Sequence, residues 1–243
     1  MATDPASLDA PFSALAAFDW GGDSNALKPL DAAVVAAYGD AALTTELETR
    51  FAAVLASNAS RAAKQYACRK LSVLGTVASV PALAALLADT DQSHMARYAL
   101  ERITAPEATA ALRTALGLVD GNLKIGMLSS LAAKRDAASV PAIAALVVGD
   151  SAVAAAAAEA LGIIATPEAA GALAAAQATG VAAEAVVDAR LACAAVFLEA
   201  GKKPEAWAIY EAIGKAVGDA PATHRGRAVR MASQRGLFAT MEG

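Results

Sequence analysis

The stretch Ala78–Leu87, ASVPALAALL, returns sixty residues later as Ala138–Val147, ASVPAIAALV. The two differ only at Leu83/Ile143 and Leu87/Val147, each an exchange of one branched aliphatic for another. Self-similarity at a fixed spacing marks a repeat architecture. Two shorter relatives complete the series, APEATAALRTAL from Ala105 and TPEAAGALAAA from Thr166. In all four a proline (Pro81, Pro106, Pro141 or Pro167) stands just ahead of an apolar run. Proline suits the first turn of a helix, where its missing N–H has no intrahelical partner to lose. These prolines therefore mark four helix starts.

A second helical run leads into each proline: QYACRKLSVLG, HMARYALERI, KIGMLSSLAAK and AAAAAEALGII. Aligned on Leu71, Leu100, Leu131 and Leu161, these runs are spaced by 29, 31 and 30 residues. The unit is helix A, turn, helix B, turn. One such pair cannot bury its apolar stripe alone, whereas stacked pairs share a continuous core. The expected fold is all-α: a right-handed α-solenoid of stacked antiparallel helix pairs. Alanines on the stripe let helix axes approach closely. TTELETRFAAVLAS, Thr44 to Ser57, reads as helix A of the first pair, with Thr45 and Glu48 at capping-box spacing.

ALGIIATPEAAGAL from Ala160 and LSVLGTVASVPALAALL from Leu71 resemble the HEAT-type repeat in its short bacterial, phycobilisome-lyase-like form. The resemblance covers residues 44–180. KQYACRKLSVLG together with SHMARYALERI is similar to HEAT-repeat proteins of environmental bacteria. It implies a HEAT-like α-α superhelix whose B helices line the concave side, serving as a binding scaffold. ARLACAAVFLEAGKKPEAWAIYEAI from Ala189 resembles one tetratricopeptide-type repeat. Ala194, Phe197, Gly201, Ala206 and Tyr210 occupy that repeat's packing positions, while Arg190 stands where an early tryptophan belongs. The expected organisation is one continuous solenoid. It has an N-terminal helical cap over 1–43, the HEAT-like array over 44–180, and a tetratricopeptide-like pair with a capping helix over 181–243.

Composition agrees with helices. The chain is 57% hydrophobic, much of it alanine, and only 5% aromatic, which argues against a sheet. Leu71–Ala88 is uncharged and reaches membrane-span length, but Gly75, Thr76, Ser79 and Pro81 interrupt it. MATDPASLDAPF has no basic segment followed by an apolar one, so no secretory signal is read there. The expected compartment is cytoplasmic, or periplasmic if a signal preceded the chain. In the first section, helices are expected over about Ser7–Phe18 and Asn25–Tyr38, with Ser24 as N-cap. Trp20 lies between them in a glycine-containing loop and is expected to cover the end of the stack. PATHRGRAVRMASQRGL, from Pro221, is expected to form a last, solvated basic helix. Cys68 and Cys193 are expected as separate buried thiols.

Charge is uneven. Residues 1–60 carry two bases against eight acids, 61–135 ten against five, and 136–243 eight against eleven. On the aligned B helices, Lys64, Arg69, His94, Arg97, Tyr98 and Lys124 fall on the side away from the leucine anchors. They are the candidate partner-binding residues, a basic stripe suited to an anionic partner. Ion pairing within the array, such as Arg97 with Glu101 four residues on, is the competing explanation. His94 and His224 fall in different sections, no cysteine pair has metal-ligand spacing, and no nucleophile elbow, P-loop or dinucleotide fingerprint occurs. Asp89 and Asp91 are expected to cap the following helix. The expected function is a non-catalytic scaffold for a protein partner, without cofactor or metal. The alternative is an enzyme on a HEAT-like frame, bilin-lyase-like or DNA-glycosylase-like.

Overall fold

The structure, a computed structural model, describes residues 5–218 and 223–241. The first four residues, and Pro221 with Ala222 at the expected start of the last helix, lie outside the described residues. The described chain is almost entirely helical, with fourteen α-helices and two strands of two residues each. No helix in it is long and apolar enough to cross a membrane. It forms two compact units, Met1–Ser130 and Leu131–Gly243, divided within one helix.

The first unit opens with α1 (Asp9–Ala17) and α2 (Lys28–Ala36), each entered through a 3₁₀ turn. The cap of the turn before α2 is Asp23, not Ser24: its carboxylate accepts from the Asn25 amide at 2.9 Å. The aspartate sits one residue earlier, where its oxygen reaches an amide that would otherwise be orphaned. α3 (Ala41–Ala56) begins earlier than TTELE implied, because Asp40 accepts from the Leu43 amide at 3.0 Å. Thr45 is thus inside the helix and donates to the Ala41 carbonyl at 2.9 Å. The expected capping box does not form. Arg50 ties α3 to α1 through Asp9 at 2.6 Å.

α4 (Arg61–Leu74) follows, capped by Ser60. After it, Val77–Ser79 make a 3₁₀ turn that runs into α5 (Val80–Ala84), with Pro81 in its first turn. α6 (Ser93–Arg102), α7 (Pro106–Leu116) and the start of α8 (Gly121–Ala133) complete the unit. The anchors Leu71 and Leu100 are fully buried, as are Ala67, Ala96 and Met127 one helical turn before the anchors. α3 packs on α4 and α5, α4 on α6, and α7 on α5 and α6. Phe12, Phe51 and Tyr66 form a ring series, with centroids 5.0 and 6.3 Å apart.

In the second unit α8 ends at Ala133, and Arg135 takes a left-handed conformation (φ 48°) while the Asp136 amide bonds back to the Leu131 carbonyl. Lys134, the charged exception at the third anchor-plus-three position, is therefore past the helix rather than on its stripe. α9 (Val140–Ala144) and α11 (Pro167–Ala175) carry Pro141 and Pro167 in their first turns and pack together. α10 (Ala152–Ile164) packs on both, with Leu161 fully buried. α12 (Gly180–Glu199) comes so close to α10 that a Cβ on Gly162 would lie 2.8 Å from the Ala189 Cα.

The composition argued against a sheet. What occurs is one parallel ladder of two residues, β1 (Val148–Gly149) with β2 (Gln177–Ala178). Asp150 beside it accepts from the Val181 amide at 3.0 Å and so serves the start of α12. α13 (Lys203–Val217) turns back on α12 through Gly201 at φ 74°. Ala194, Phe197, Ala206 and Tyr210 form one buried cluster there. α14 (His224–Met241) covers α13: a Cβ on Gly236 would fall 2.3 Å from the Tyr210 ring, and Val229, Ser233 and Gly236 are its buried residues. Arg225 pairs with Asp188 at 3.0 Å at the surface, and most of this helix is exposed, as expected of a solvated basic helix.

Candidate functional site

The six basic-stripe candidates all lie in the first unit, on α4, α6 and α8, but they do not form one open surface. Arg97 turns inward. Its guanidinium donates to the Gly126 carbonyl at 3.0 Å and to the Ser130 hydroxyl at 3.1 Å, and Ser130 in turn donates to Glu101 at 2.6 Å. Gly126 makes room for it: a Cβ there would lie 2.7 Å from the guanidinium carbon. Burial lowers the pKa of Arg97, with Glu101 opposing, and its Nε finds no partner among the described residues. Arg97 is a tie between α6 and α8, so the proximity to Glu101 read from the sequence is part of a wider network. A glycine inside a helix disfavours it by about 1 kcal/mol, and that oddity at Gly126 was the available signal.

Lys124 is also engaged, 3.0 Å from Asp120, with its side chain only 17% exposed. His94 stands exposed with Nδ1 3.5 Å from the Arg97 guanidinium. Tyr98 is half-buried, and Arg102 lies over its ring at 4.4 Å, a cation–π geometry. Lys64, half-buried, and Arg69, exposed, have no ion-pair or hydrogen-bond partner for their side chains among the described residues. Their helical neighbours do: Arg61 reaches Asp91 at 2.9 Å and Lys70 reaches Asp31 at 2.5 Å. Asp89 accepts from the Asp91 and Gln92 amides and so closes the turn before α6, but neither aspartate caps the helix as expected: its N-cap, Gln92, makes no side-chain cap bond, and Asp91 serves the ion pair.

Arg69 opens onto a cleft that sequence reasoning did not delineate. The cleft has a volume of about 260 Å³ and is walled by Phe18, Trp20, Leu27 and Tyr66, with Lys28 and Arg69 as its cations. Trp20 does not cover the end of the fold: it is 69% exposed. Its loop is pinned to α4 only beside it, where Ser60 donates to the Phe18 carbonyl at 2.5 Å. Tyr66 donates to Asp31 at 2.6 Å, and Lys70 lies over the Tyr66 ring at 4.8 Å. Burial works to raise the pKa of Asp31, but the hydrogen bonds from Lys70 and Tyr66 hold it below the ordinary carboxylate value. Among the described residues Asp31 is the acid in the cleft wall, and it is bonded to Lys70 and Tyr66; Arg69 acts on it only through space, and Lys28 and Arg69 keep their donors free of ion pairs. Lys28 is one of only two bases in the acidic first sixty residues, and that isolation was the clue to it.

Elsewhere, buried polar groups are enclosed by their own chain. Glu48 is 4% exposed and accepts from the Thr76 amide at 2.6 Å and the Ser79 amide at 3.0 Å. Cys68 and Cys193 are buried thiols, which burial pushes up to about 12 and about 11. Among the described residues no three His, Cys, Asp or Glu side chains converge as metal ligands. Neither the known family models nor the curated proteins contain a match to this chain.

Proposed function

We propose that the chain is a non-catalytic interaction scaffold of the HEAT type, a solenoid whose B-helix face receives an acidic protein partner. The neighbour-to-neighbour packing supports the architecture: α3 lies on α5 and α5 on α7, while α4 lies on α6, the order that stacked pairs require. The observation that carries the function is the uneven use of positive charge. Arg61, Lys70, Arg97 and Lys124 are held by groups of the same unit. Lys64 on α4 has no such partner among the described residues, and Arg102 on α6 lies over the Tyr98 ring. Exposed cations attract carboxylates over a Debye length, and at Arg102 the Tyr98 ring adds an apolar edge to dock against.

The test reverses charge at Lys64 and Arg102 together, leaving the N-terminal cleft intact. Wild-type chain and the Lys64→Glu, Arg102→Glu variant are used as bait in affinity capture with mass spectrometry, alongside circular dichroism. The expected result is loss of an acidic partner at unchanged helicity. Recovery of the same proteins by both baits refutes the basic-face reading. A salt-sensitive retardation of DNA by the wild-type chain refutes the acidic-protein reading in favour of a glycosylase-like one.

A further inference from the structure

We propose that the cleft beside Trp20 is a binding site for a small aromatic carboxylate. The inference does not depend on the scaffold reading, because a small acid can bind with no protein partner present. Three observations converge on it. First, the walls are aromatic: Phe18, Trp20 and Tyr66 line the cleft. Trp20, 69% exposed at the edge of this cleft, presents a ring face on which a second ring can stack. Second, the charge is one-sided. Among the described residues Lys28 and Arg69 border the cleft with no ion pair within bonding distance, while Asp31, the carboxylate in the wall, is bonded to Lys70 and Tyr66 and feels Arg69 only at longer range. Arginine presents a planar fork that matches a carboxylate, and lysine adds a point charge.

Third, the size selects. At about 260 Å³ the cleft falls just below the usual span for drug-sized ligands, roughly 300–1,000 Å³. It suits one or two fused rings with a short acid. The ring lies against Trp20 and Phe18, and the carboxylate lies between Lys28 and Arg69. No bond is made or broken. The site is one of recognition, and nothing in its lining offers a nucleophile placed beside a base.

The probe is 1-naphthoate, with naphthalene-1-carboxamide as the uncharged isostere, titrated into the full ¹⁵N-labelled chain. The readout is the indole N–H resonance of Trp20. That of Trp207, the other tryptophan, lies on α13 and serves as the internal control. The expected result is a saturable shift of Trp20 alone, with affinity about tenfold weaker for the carboxamide. That ratio is the order of one charge-assisted hydrogen bond lost. The Lys28→Gln, Arg69→Gln variant changes two exposed side chains, keeps the wild-type circular dichroism spectrum and abolishes the preference for the acid. Absence of a saturable Trp20 shift at about 10 mM probe, weaker than a specific site warrants, overturns the proposal. Equal affinity for acid and amide, or an unchanged preference in the double variant, overturns it as well.

Discussion

Glu48 offers the sharpest test of how the first unit is held together. Its carboxylate is nearly water-free and receives the Thr76 and Ser79 amides and both their hydroxyls, so it caps the turn leading into α5 from a helix 28 residues earlier. Replacing it by alanine removes the acceptor for all four donors. The loss is partly made good: the Ser79 amide and hydroxyl also reach the Thr76 carbonyl, at 3.3 and 3.2 Å, and Thr76 is exposed enough to find water. A hydrogen bond to a charged group contributes about 1.5–3 kcal/mol, so after that compensation Glu48→Ala should cost roughly 2–4 kcal/mol. Glu48→Gln keeps Oε1 in place for both amides; it loses the charge facing a helix N-terminus and the Oε2 acceptor of the Thr76 hydroxyl, which still reaches Oε1. It should cost about 1 kcal/mol.

The assay is amide hydrogen exchange under native conditions, read at Ser79, together with urea unfolding followed by far-ultraviolet circular dichroism. At 1.4 kcal/mol per factor of ten, Glu48→Ala should speed exchange at Ser79 roughly thirtyfold or more, and Glu48→Gln about fivefold. Unchanged protection of Ser79 in the alanine variant refutes the cap. A glutamine variant no better than alanine refutes the claim that the amides, rather than the packing of the side chain, are what Glu48 serves.

Three other outcomes follow from the packing. Arg97→Gln should destabilise the first unit by about 1–3 kcal/mol by removing the charged hydrogen bonds to the Gly126 carbonyl and Ser130 hydroxyl, measured by urea midpoint; a neutral result removes Arg97 as a tie. Gly236→Ala should destabilise by about 1–3 kcal/mol, because the new methyl meets the Tyr210 ring. Gly171→Ala, with nothing within 4 Å of its Cβ position, should stabilise by up to about 1 kcal/mol, and thermal melts separate the two. Cys68 and Cys193, buried and with thiol pKa values pushed up to about 12 and about 11, should resist a thiol-specific disulfide reagent at pH 8 until denaturant is added. Prompt reaction in the folded state would contradict their burial.

The helical class and the helix starts at Pro81, Pro106, Pro141 and Pro167 were legible because each depends on one residue's covalent geometry or on a short-range period. The buried positions on α4, α6, α8 and α10 were legible for the same reason. What escaped the reading depends on partners distant in sequence. Thr45 and Glu48 had the spacing of a local cap, but Asp40 had already started α3, and Glu48 was left for Thr76 and Ser79. Arg97 was read as outward because periodicity assigns a face and not a rotamer. Trp20 was read as a cover because a large apolar side chain at a chain end is usually buried. Its exposure is a property of the loop, on which periodicity is silent. Three glycines inside helices, Gly126, Gly162 and Gly236, each proved to mark where another group presses on the backbone.

The guanidinium of Arg97 fills the space that a side chain at position 126 would need. The two positions are therefore coupled without being locked. A methyl at 126 meets only the end of a flexible side chain, which can swing away at the cost of its bonds to the Gly126 carbonyl and Ser130 hydroxyl. Among descendants of this sequence, residues other than glycine at 126 should be commoner where position 97 carries a short side chain. Arginine with alanine should be rarer than arginine with glycine, an inheritance bias written by a volume that two helices share.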